Sequence, residues 1–518
     1  MILMALWTVP QYALTPSLRK QQDLFMTDFH QPAPLQKLMR STIMFVCLAT
    51  LLLTCLQVLA HGYFPSDDAL RHVAKVISNR DWSDILVIRP EITMDSHPGW
   101  HFILDLAGRV VAYDNSTLLN FSVLFLFLVF TGPLVLYFRR PEAWLLVLLI
   151  TAVFASGHIQ RMLLGRPYIF SMLLVLVFCF LWSRIRDKDK PFAELGAYAL
   201  LVALSTWIHG TWYLLALPLV ALLICGQWRV LWMMSAATAV GVLAGAVLTG
   251  SPLAFLYQMF WHALSALGEH EFQRQLVTEL RPFGGVGSLL MVVGLLLVWR
   301  AVRGDWKLDC VWNPVFVLAG LCWVMGFVTG RFWLDWGWPA LAFWMGMEIH
   351  RAMESHIREF DPRRLAIVGV VCLSLFLAVS NDRGNRWSGT PTIWPDMQNE
   401  EHRPWLPEEG GIVYNDSMRL FYNVFNENPH GPWRYMLGFE PIWMPEKHLE
   451  IYRQIQLSRG RPDSYQPWVE KMTPKDRMML VRRSHPRIEG LEWHEVTPDV
   501  WSGRVDTEET GDEPVEEE

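Results

Sequence analysis

The chain has 518 residues, of which 52% are hydrophobic and 18% are charged. These proportions favour a polytopic membrane protein with a soluble portion over a globular enzyme. The net charge is −6, and the acidic residues after Val505 account for it, so the near-neutral remainder gives no reason to expect a nucleic-acid partner. All seven cysteines lie in or beside apolar runs and none forms a C-x-x-C pair, which argues against a structural disulfide or a thiolate metal site.

Long apolar runs predict about eleven transmembrane helices, several of them shorter than the usual length of about 20 residues. Lys and Arg are concentrated in alternate connecting segments, which places the N-terminus in the cytoplasm. With an odd number of spans, the first outer loop (61–117) and everything after residue 381 lie on the extracytoplasmic side of the membrane. We therefore predict a mainly α, multi-pass protein of the inner (cytoplasmic) membrane. The apolar runs lie near 41–60, 118–138, 143–157, 168–183, 194–209, 212–226, 230–250, 284–299, 312–329, 332–349 and 365–380.

The region after the last span alternates strand-like and helical segments. Residues 411–415 and 433–437 are strand-like, whereas 417–425 and 446–457 have helical patterns. This alternation predicts a small extracytoplasmic α/β domain. The predicted divisions are a cytoplasmic segment (1–40), a transmembrane domain (41–380), a linker (381–408), the α/β domain (409–505) and an acidic disordered tail (506–518).

Two adjacent carboxylates, Asp67 and Asp68, follow the first apolar run closely. Ser66 is placed to cap a helix starting at Asp67, with both acids in the first turn, where the helix dipole favours negative charge. Such an amphipathic helix is expected to lie flat on the membrane surface. An acid pair at a helix start is often only a cap, but its position in a long outer loop favours a functional role. Its apolar face holds Leu70, Val73, Val76 and Ile77, and Arg71, Lys75 and Asn79 are predicted to point away from that face.

The outer loops contain a few arginines that run against the positive-inside bias. A lipid-linked phosphate or pyrophosphate would balance their positive charge, because one guanidinium group can donate two parallel hydrogen bonds to phosphate oxygens. The alternative to phosphate binding is that an outer arginine extends its side chain to the lipid headgroups. His209, in the turn between the fifth and sixth apolar runs, would likewise be only a hydrogen-bonded histidine at the membrane interface. These arginines are Arg161, Arg166, Arg274, Arg281 and Arg331.

The first outer loop resembles that of the GT-C superfamily of membrane glycosyltransferases, which includes protein mannosyltransferases and the aminoarabinose transferases of lipid A. The resemblance rests on S-D-D-A-L-R-H-V-A (66–74), on Asp81-Trp82, on Arg89-Pro90 and on D-S-H-P-G-W-H-F-I-L (95–104). The arginine of the G-R-P-Y turn (165–168) is similar to the arginine that such enzymes place after the third span. In the return to the second span, one proline and a glycine replace the paired prolines of the aminoarabinose transferases.

The resemblance implies transfer of a sugar from a polyprenyl-phosphate-linked donor to an envelope lipid, glycan or protein at the outer membrane face. Asp67 or Asp68 would then be the catalytic base that takes the proton of the acceptor hydroxyl, and arginines would stabilise the departing phosphate. A divalent cation, Mg²⁺ or Mn²⁺, on Asp67 and Asp68 is compatible with the resemblance. Substrate or phosphate contacts are expected from Arg71, Arg89, His97, Arg161, Arg166, His209, Arg281 and Arg331.

Two other functions remain open from the sequence. A transporter or flippase of a lipid-linked saccharide would be expected to show internal repeats and ionisable groups at mid-membrane, whereas this sequence has no obvious repeat and its charges gather at the outer ends of the spans. A non-catalytic envelope scaffold would use the outer α/β domain to bind a partner, and it would tolerate substitution of the acid pair.

Overall fold

The computed structural model describes residues 33–62, 65, 67–268, 280–283, 287–357, 361–382, 388 and 392–505, and it is mainly helical. Most of the predicted N-terminal segment, Ser66, Arg274 and the acidic tail lie outside the described residues. The described part forms a helical bundle, a first outer loop with short helices, and a C-terminal domain with a small sheet.

The bundle is built from apolar helices whose ends are marked by prolines, glycines and polar caps. Asp114 caps one of them through its side chain, which accepts a hydrogen bond from the N–H of Thr117, and Asn313 caps another in the same way. In chain order the bundle helices are Ala33–Ala60, Asn115–Tyr137, Pro141–Phe154, Ser156–Met162, Tyr168–Asp187, Phe192–His209, Ala216–Ile224, Trp228–Val247, Pro252–Gly268, Gly287–Val302, Pro314–Gly326, Gly330–Phe332, Trp338–His356 and Pro362–Val379.

Several of these helices could cross a membrane. Within the described ranges, five are long and apolar enough, and a sixth span exists if Pro141–Phe154 and Ser156–Met162, which meet at a 113° bend, count as one. The segments Trp212–Ile224, Gly287–Val302 and Pro314–Gly326 are apolar but shorter. The predicted total of about eleven spans is therefore not confirmed. The five are Lys37–Ala60, Asn115–Tyr137, Tyr168–Asp187, Phe192–His209 and Trp228–Val247.

The C-terminal domain has a five-stranded sheet of order β2-β1-β3-β5-β4. Strand β1 runs parallel to β2 and β3, and β5 pairs antiparallel with β3 and β4. The predicted strands and helices of this region are confirmed to within a few residues. The elements are β1 (Ile412–Asn415), β2 (Arg434–Tyr435), β3 (Arg477–Val481), β4 (Leu491–Thr497), β5 (Val500–Val505) and helices Met418–Glu427, Glu446–Leu457 and Gln466–Val469.

The described end of the predicted linker packs on this domain. Trp394 and Leu406 are buried in its apolar core. The Ser502 hydroxyl donates a hydrogen bond to the Trp405 carbonyl, and the Thr497 hydroxyl donates one to the Ile393 carbonyl. The chain from residue 392 onward is thus packed as part of the C-terminal domain.

The first outer loop joins the bundle to the domain. It contains the acid-pair helix (Asp68–Ser78), a short helix Trp82–Ile85 and the return helix (Pro98–Val110). Trp82 and Leu86 are buried in the domain core, and Leu86 forms a parallel bridge with Tyr435 at the outer edge of β2. The loop therefore extends the sheet of a domain that lies far away in the sequence.

The acid-pair helix lies between two apolar cores. Leu70 and Val73 pack in the core of the bundle, whereas Ala74 packs in that of the domain. The domain helix (Met418–Glu427) packs against the acid-pair helix, while the expected position of the acid-pair helix on the membrane surface stays a prediction. Because the domain helix packs here, Arg71, predicted to point away, is buried with only 3% exposure.

Candidate functional site

A cavity of about 1070 Å³ lies where the bundle, the acid-pair helix and the C-terminal domain meet. Its polar lining includes Asp67, Asp68 and several arginines and histidines. Its apolar lining includes Phe154, Phe260 and Leu264 of the bundle. The cavity thus combines a charged region with an apolar region in the helical part of the protein.

The start of the acid-pair helix presents both carboxylates to this cavity. Asp67 is the N-cap, in extended conformation, and its side chain accepts a hydrogen bond from the N–H of Ala69. The helix itself begins at Asp68, one residue later than predicted. The Asp67 side chain is 32% exposed, whereas that of Asp68 is 13% exposed. The two acids therefore differ in their access to the cavity.

Arg166 links the two acids to the bundle. Its guanidinium lies 3.4 Å from Oδ2 of Asp68 and 3.9 Å from Oδ2 of Asp67. The preceding Gly165 has a positive φ of 67°, and its carbonyl accepts a 2.6 Å hydrogen bond from Ser122. A side chain at this position would be strained and would meet Ser122 at 3.0 Å, so the turn depends on glycine. The G-R-P-Y turn thereby directs Arg166 at the acid pair.

Arg71 completes the surroundings of Asp68. It forms an ion pair with Asp68 through Nε, and its guanidinium lies over the Phe439 ring at 3.6 Å. Its Nη1 atom is buried and has no hydrogen-bond partner among the described residues. Burial alone would raise the pKa of Asp68, but Arg71 and Arg166 outweigh burial and hold this pKa well below its usual range. Asp68 is therefore firmly ionised.

A second charged cluster forms another part of the cavity wall. The Asp335 Oδ1 atom accepts hydrogen bonds from Arg161 Nε at 3.0 Å and Nη2 at 2.8 Å, and Arg331 Nε contacts its Oδ2 at 3.2 Å. Asp335 lies in a π-helical turn, Trp333–Gly337, which widens the helix at this point. The Arg161 side chain is 7% exposed and that of Arg331 is 34% exposed. Arg331 is thus the more accessible of the two.

Two predicted histidines also line the cavity. The His97 ring lies 4.8 Å from that of His72 and 5.5 Å from that of His209, measured between ring centroids. Ser171 hydrogen-bonds to Nδ1 of His209 at 2.9 Å. Burial and the neighbouring His72 lower the pKa of His97 well below its usual value, so the His97 ring is neutral at physiological pH.

Sequence reasoning missed a chain of close polar contacts behind the acid pair. Oδ2 of Asp95 lies 2.5 Å from Nδ1 of His101, and Nε2 of His101 lies 2.9 Å from Nδ1 of His72. Nε2 of His72 in turn lies 3.5 Å from Oδ2 of Asp68. The spacing of Asp68 and His72, one helical turn apart, was a signal that the sequence offered.

The C-terminal domain contributes Tyr422, Phe439 and Glu440 to the cavity lining, which the sequence did not indicate. Tyr422 comes from the domain helix, and burial together with the charge of Asp68 raises its pKa well above the usual value. Glu440 lies 3.7 Å from His262 of the bundle. The domain is therefore a wall of the site as well as a separate unit.

Two predicted contacts lie elsewhere. Arg89 does not line the cavity: its Nε donates a 2.7 Å hydrogen bond to the Met444 carbonyl, and its N–H donates to the Trp443 carbonyl. The side chain of Arg281 is exposed and is not part of the lining, although its carbonyl accepts a hydrogen bond from the N–H of Gly330. Arg89 thus holds the loop on the domain.

The acid pair is poorly suited to a divalent cation. Asp68 is surrounded by Arg71, Arg166 and His72, which a cation would have to displace. Across the described ranges, no group of three or more His, Cys, Asp or Glu side chains is arranged to hold a metal ion. The surroundings of the acid pair therefore do not fit the Mg²⁺ or Mn²⁺ that the resemblance allowed.

No protein-family model matches the sequence, and no curated protein matches it.

Proposed function

We propose that this protein is a membrane glycosyltransferase that moves a sugar from a polyprenyl-phosphate-linked donor to a hydroxyl of an envelope lipid, glycan or protein. The observation that carries the proposal is the cavity in which two carboxylates and several guanidiniums meet beside an apolar wall. A lipid-linked sugar phosphate has an apolar tail, an anionic group and a reactive sugar, and the lining offers a matching region for each part.

Asp67 is the proposed base. In the reaction the acceptor oxygen forms a bond to the anomeric carbon while the bond from that carbon to the phosphate oxygen breaks. The electron pair of the broken bond goes to the leaving phosphate, and the acceptor proton goes to the carboxylate. Asp68 is less suited to accept it, because Arg71 and Arg166 hold its pKa low. The more exposed Asp67 carboxylate faces the same cavity.

Arg166 and Arg331 are the proposed phosphate ligands. The phosphate gains negative charge as the sugar departs, and fixed guanidiniums stabilise that charge most in the transition state. Both side chains line the cavity, on its two charged walls. Arg161 is held by Asp335 and stacks on Tyr168 at 4.0 Å, so its proposed role is to orient Asp335.

The apolar wall is the proposed site of the polyprenyl chain. Phe154 ends the helix Pro141–Phe154 just before its sharp bend into Ser156–Met162, and Leu264 lies on the Pro252–Gly268 helix. These helices carry exposed apolar side chains such as Tyr257 and Trp261, as expected where a protein meets lipid. We place the reaction at the extracytoplasmic face of the inner membrane, with the C-terminal domain over the acceptor side.

The experiment is transfer of a labelled sugar from a polyprenyl-phosphate donor by purified protein in liposomes, with extracted envelope material as the acceptor. Formation of labelled product that requires Asp67 supports the proposal. Movement of intact donor across the bilayer without bond cleavage would instead support a flippase. Activity that is unchanged in variants of both acids would contradict the proposal.

A further inference from the structure

A chain of four side chains connects the return helix and the residues just before it to the acid pair. Its contacts are Asp95 to His101 at 2.5 Å, His101 to His72 at 2.9 Å and His72 to Asp68 at 3.5 Å. His72 is fully buried, and of the four only Asp68 lines the cavity. The first three side chains therefore act on the site through Asp68.

The number of protons in the chain decides the direction of its hydrogen bonds. Three gaps separate the two carboxylates, and each neutral imidazole supplies a single N–H. If His72 and His101 are both neutral, one gap has no proton, and a ring lone pair faces either a carboxylate or the lone pair of the other ring. If His101 is an imidazolium, it donates to Asp95 and to His72, and His72 then donates from Nε2 to Asp68. This second arrangement fills all three gaps.

The surroundings of Asp95 favour the second arrangement. Besides His101, this carboxylate accepts hydrogen bonds from the N–H of His97 at 3.0 Å and from the Trp82 indole at 3.3 Å. Burial opposes its ionisation, but the charge of His101 and these donors lower the pKa of Asp95. A partly buried ionised carboxylate so close to a ring nitrogen is typical of a charge-assisted pair.

His72 itself stays neutral. Burial and the adjacent Arg71 lower its pKa to about 3. Because His101 donates to Nδ1, the single proton of His72 resides on Nε2, the atom that faces Asp68. At 3.5 Å from Asp68, Nε2 of His72 is buried and has no hydrogen-bond partner among the described residues, and a small shift of the carboxylate would complete this hydrogen bond.

We propose that Asp95 and His101 fix the tautomer of His72 so that His72 holds Asp68, together with Arg166, in the geometry that places Asp67 against the acceptor. The inference rests on the proposed glycosyl transfer and deepens it. His72, His101 and Asp95 are positioning residues, since none of them touches the cavity. The charged and titratable groups near the chain are Arg71 and Lys75 on the same helix, His97 at the start of the return helix, Arg166 and His209 of the bundle, and Tyr422 of the domain helix.

The test is Asp95→Asn, which keeps an oxygen that accepts from His101 but removes the charge. Without the counter-charge the neutral His101 ring is favoured, with its proton on Nδ1 toward the introduced asparagine; its Nε2 then accepts from His72, and His72 presents a lone pair to Asp68. We expect kcat to fall about tenfold or more with little change in the donor KM. Asp105→Asn on the same return helix, which removes the surface pair with Arg109, should keep wild-type values throughout.

A readout that does not use activity separates this proposal from the proposed function. In protein with ¹⁵N-labelled histidine, NMR distinguishes the two tautomers, and His72→Gln assigns the signal. We expect the Nε2–H tautomer for His72 in the wild type and the Nδ1–H tautomer in Asp95→Asn. Correct tautomers without sugar transfer would contradict only the proposed function. An Nδ1–H tautomer of His72 in the wild type, or wild-type kcat in Asp95→Asn, would overturn the positioning chain.

Discussion

The guanidinium of Arg166 lies 3.4 Å from the carboxylate of Asp68, which connects the G-R-P-Y turn of the bundle to the start of the acid-pair helix. Arg166 also approaches Asp67, so a change in this side chain affects the base and the phosphate site together. Because Arg166 contacts both acids, its substitution should show most clearly how the base and the phosphate site depend on each other.

Arg166→Lys should retain part of the sugar-transfer activity, whereas Arg166→Ala should lose nearly all of it. Lysine keeps the positive charge but lacks the two-pronged donor group that binds phosphate. Since the contact stabilises the transition state, excess donor should not rescue the alanine variant. The measurement is kcat and donor KM in liposomes, with Arg109→Ala, an exposed arginine of the return helix, as the control. Full activity of Arg166→Ala would reduce this residue to a structural or lipid contact.

Arg89→Ala should weaken the attachment of the outer loop to the domain without changing the donor KM. The substitution removes the hydrogen bond to the Met444 carbonyl, a loss of about 1 kcal/mol in the free energy of unfolding. Thermal unfolding in detergent and steady-state kinetics of the same preparation check both parts. A large rise in donor KM with unchanged stability would restore the phosphate-binding role expected from the sequence.

The stability of the loop should fall on acidification in two stages. His72 and His97 have lowered pKa values in the folded protein, so the unfolded state binds more protons and stability declines below about pH 6.5. Asp68 and Asp95 also have lowered pKa values, so their contribution is present above about pH 4 and is lost below it. Unfolding temperatures measured from above about pH 6.5 to below about pH 4 test whether the two losses of stability occur in this order. His72→Gln should flatten only the upper stage, and a profile without dependence on pH would contradict the account.

The C-terminal domain should lie on the extracytoplasmic side of the membrane. A reporter fused after Val505 should be active outside, and one fused after Asp187 should be active inside, because Arg184 and Arg186 belong to a basic segment. The fusions are assayed in intact cells with a pair of reporters of opposite preference. A cytoplasmic location of the domain would contradict the placement of the site at the outer face.

The elements of the C-terminal domain were predictable because short strands and amphipathic helices have local periodic signals. The burial of Arg71 was not, since a helical pattern shows which side chains share a face but not what covers it. Here the cover is a domain helix whose residues follow much later in the chain. Tyr422 and Phe439 were missed for the same reason.

The arginines of the site illustrate a second limit. Arg161, Arg166 and Arg331 were predicted from their unfavourable position in outer loops, and the structure brings all three to the cavity. The same reasoning also selected Arg281, whose side chain is not part of the lining. Arg89, which was selected from the resemblance, instead donates to backbone carbonyls of the domain. Charge alone indicates that a partner is needed, but whether the partner is a carboxylate, a carbonyl or a substrate depends on the tertiary fold.

The most direct test of the proposed glycosyl transfer is the turnover of Asp67→Asn, measured as labelled sugar transferred from a polyprenyl-phosphate donor. Asparagine keeps the size of the side chain and its ability to cap the acid-pair helix, but it cannot take the acceptor proton. We expect kcat to fall by about two orders of magnitude with unchanged expression and unfolding temperature. Wild-type turnover in Asp67→Asn would contradict the assignment of the catalytic base.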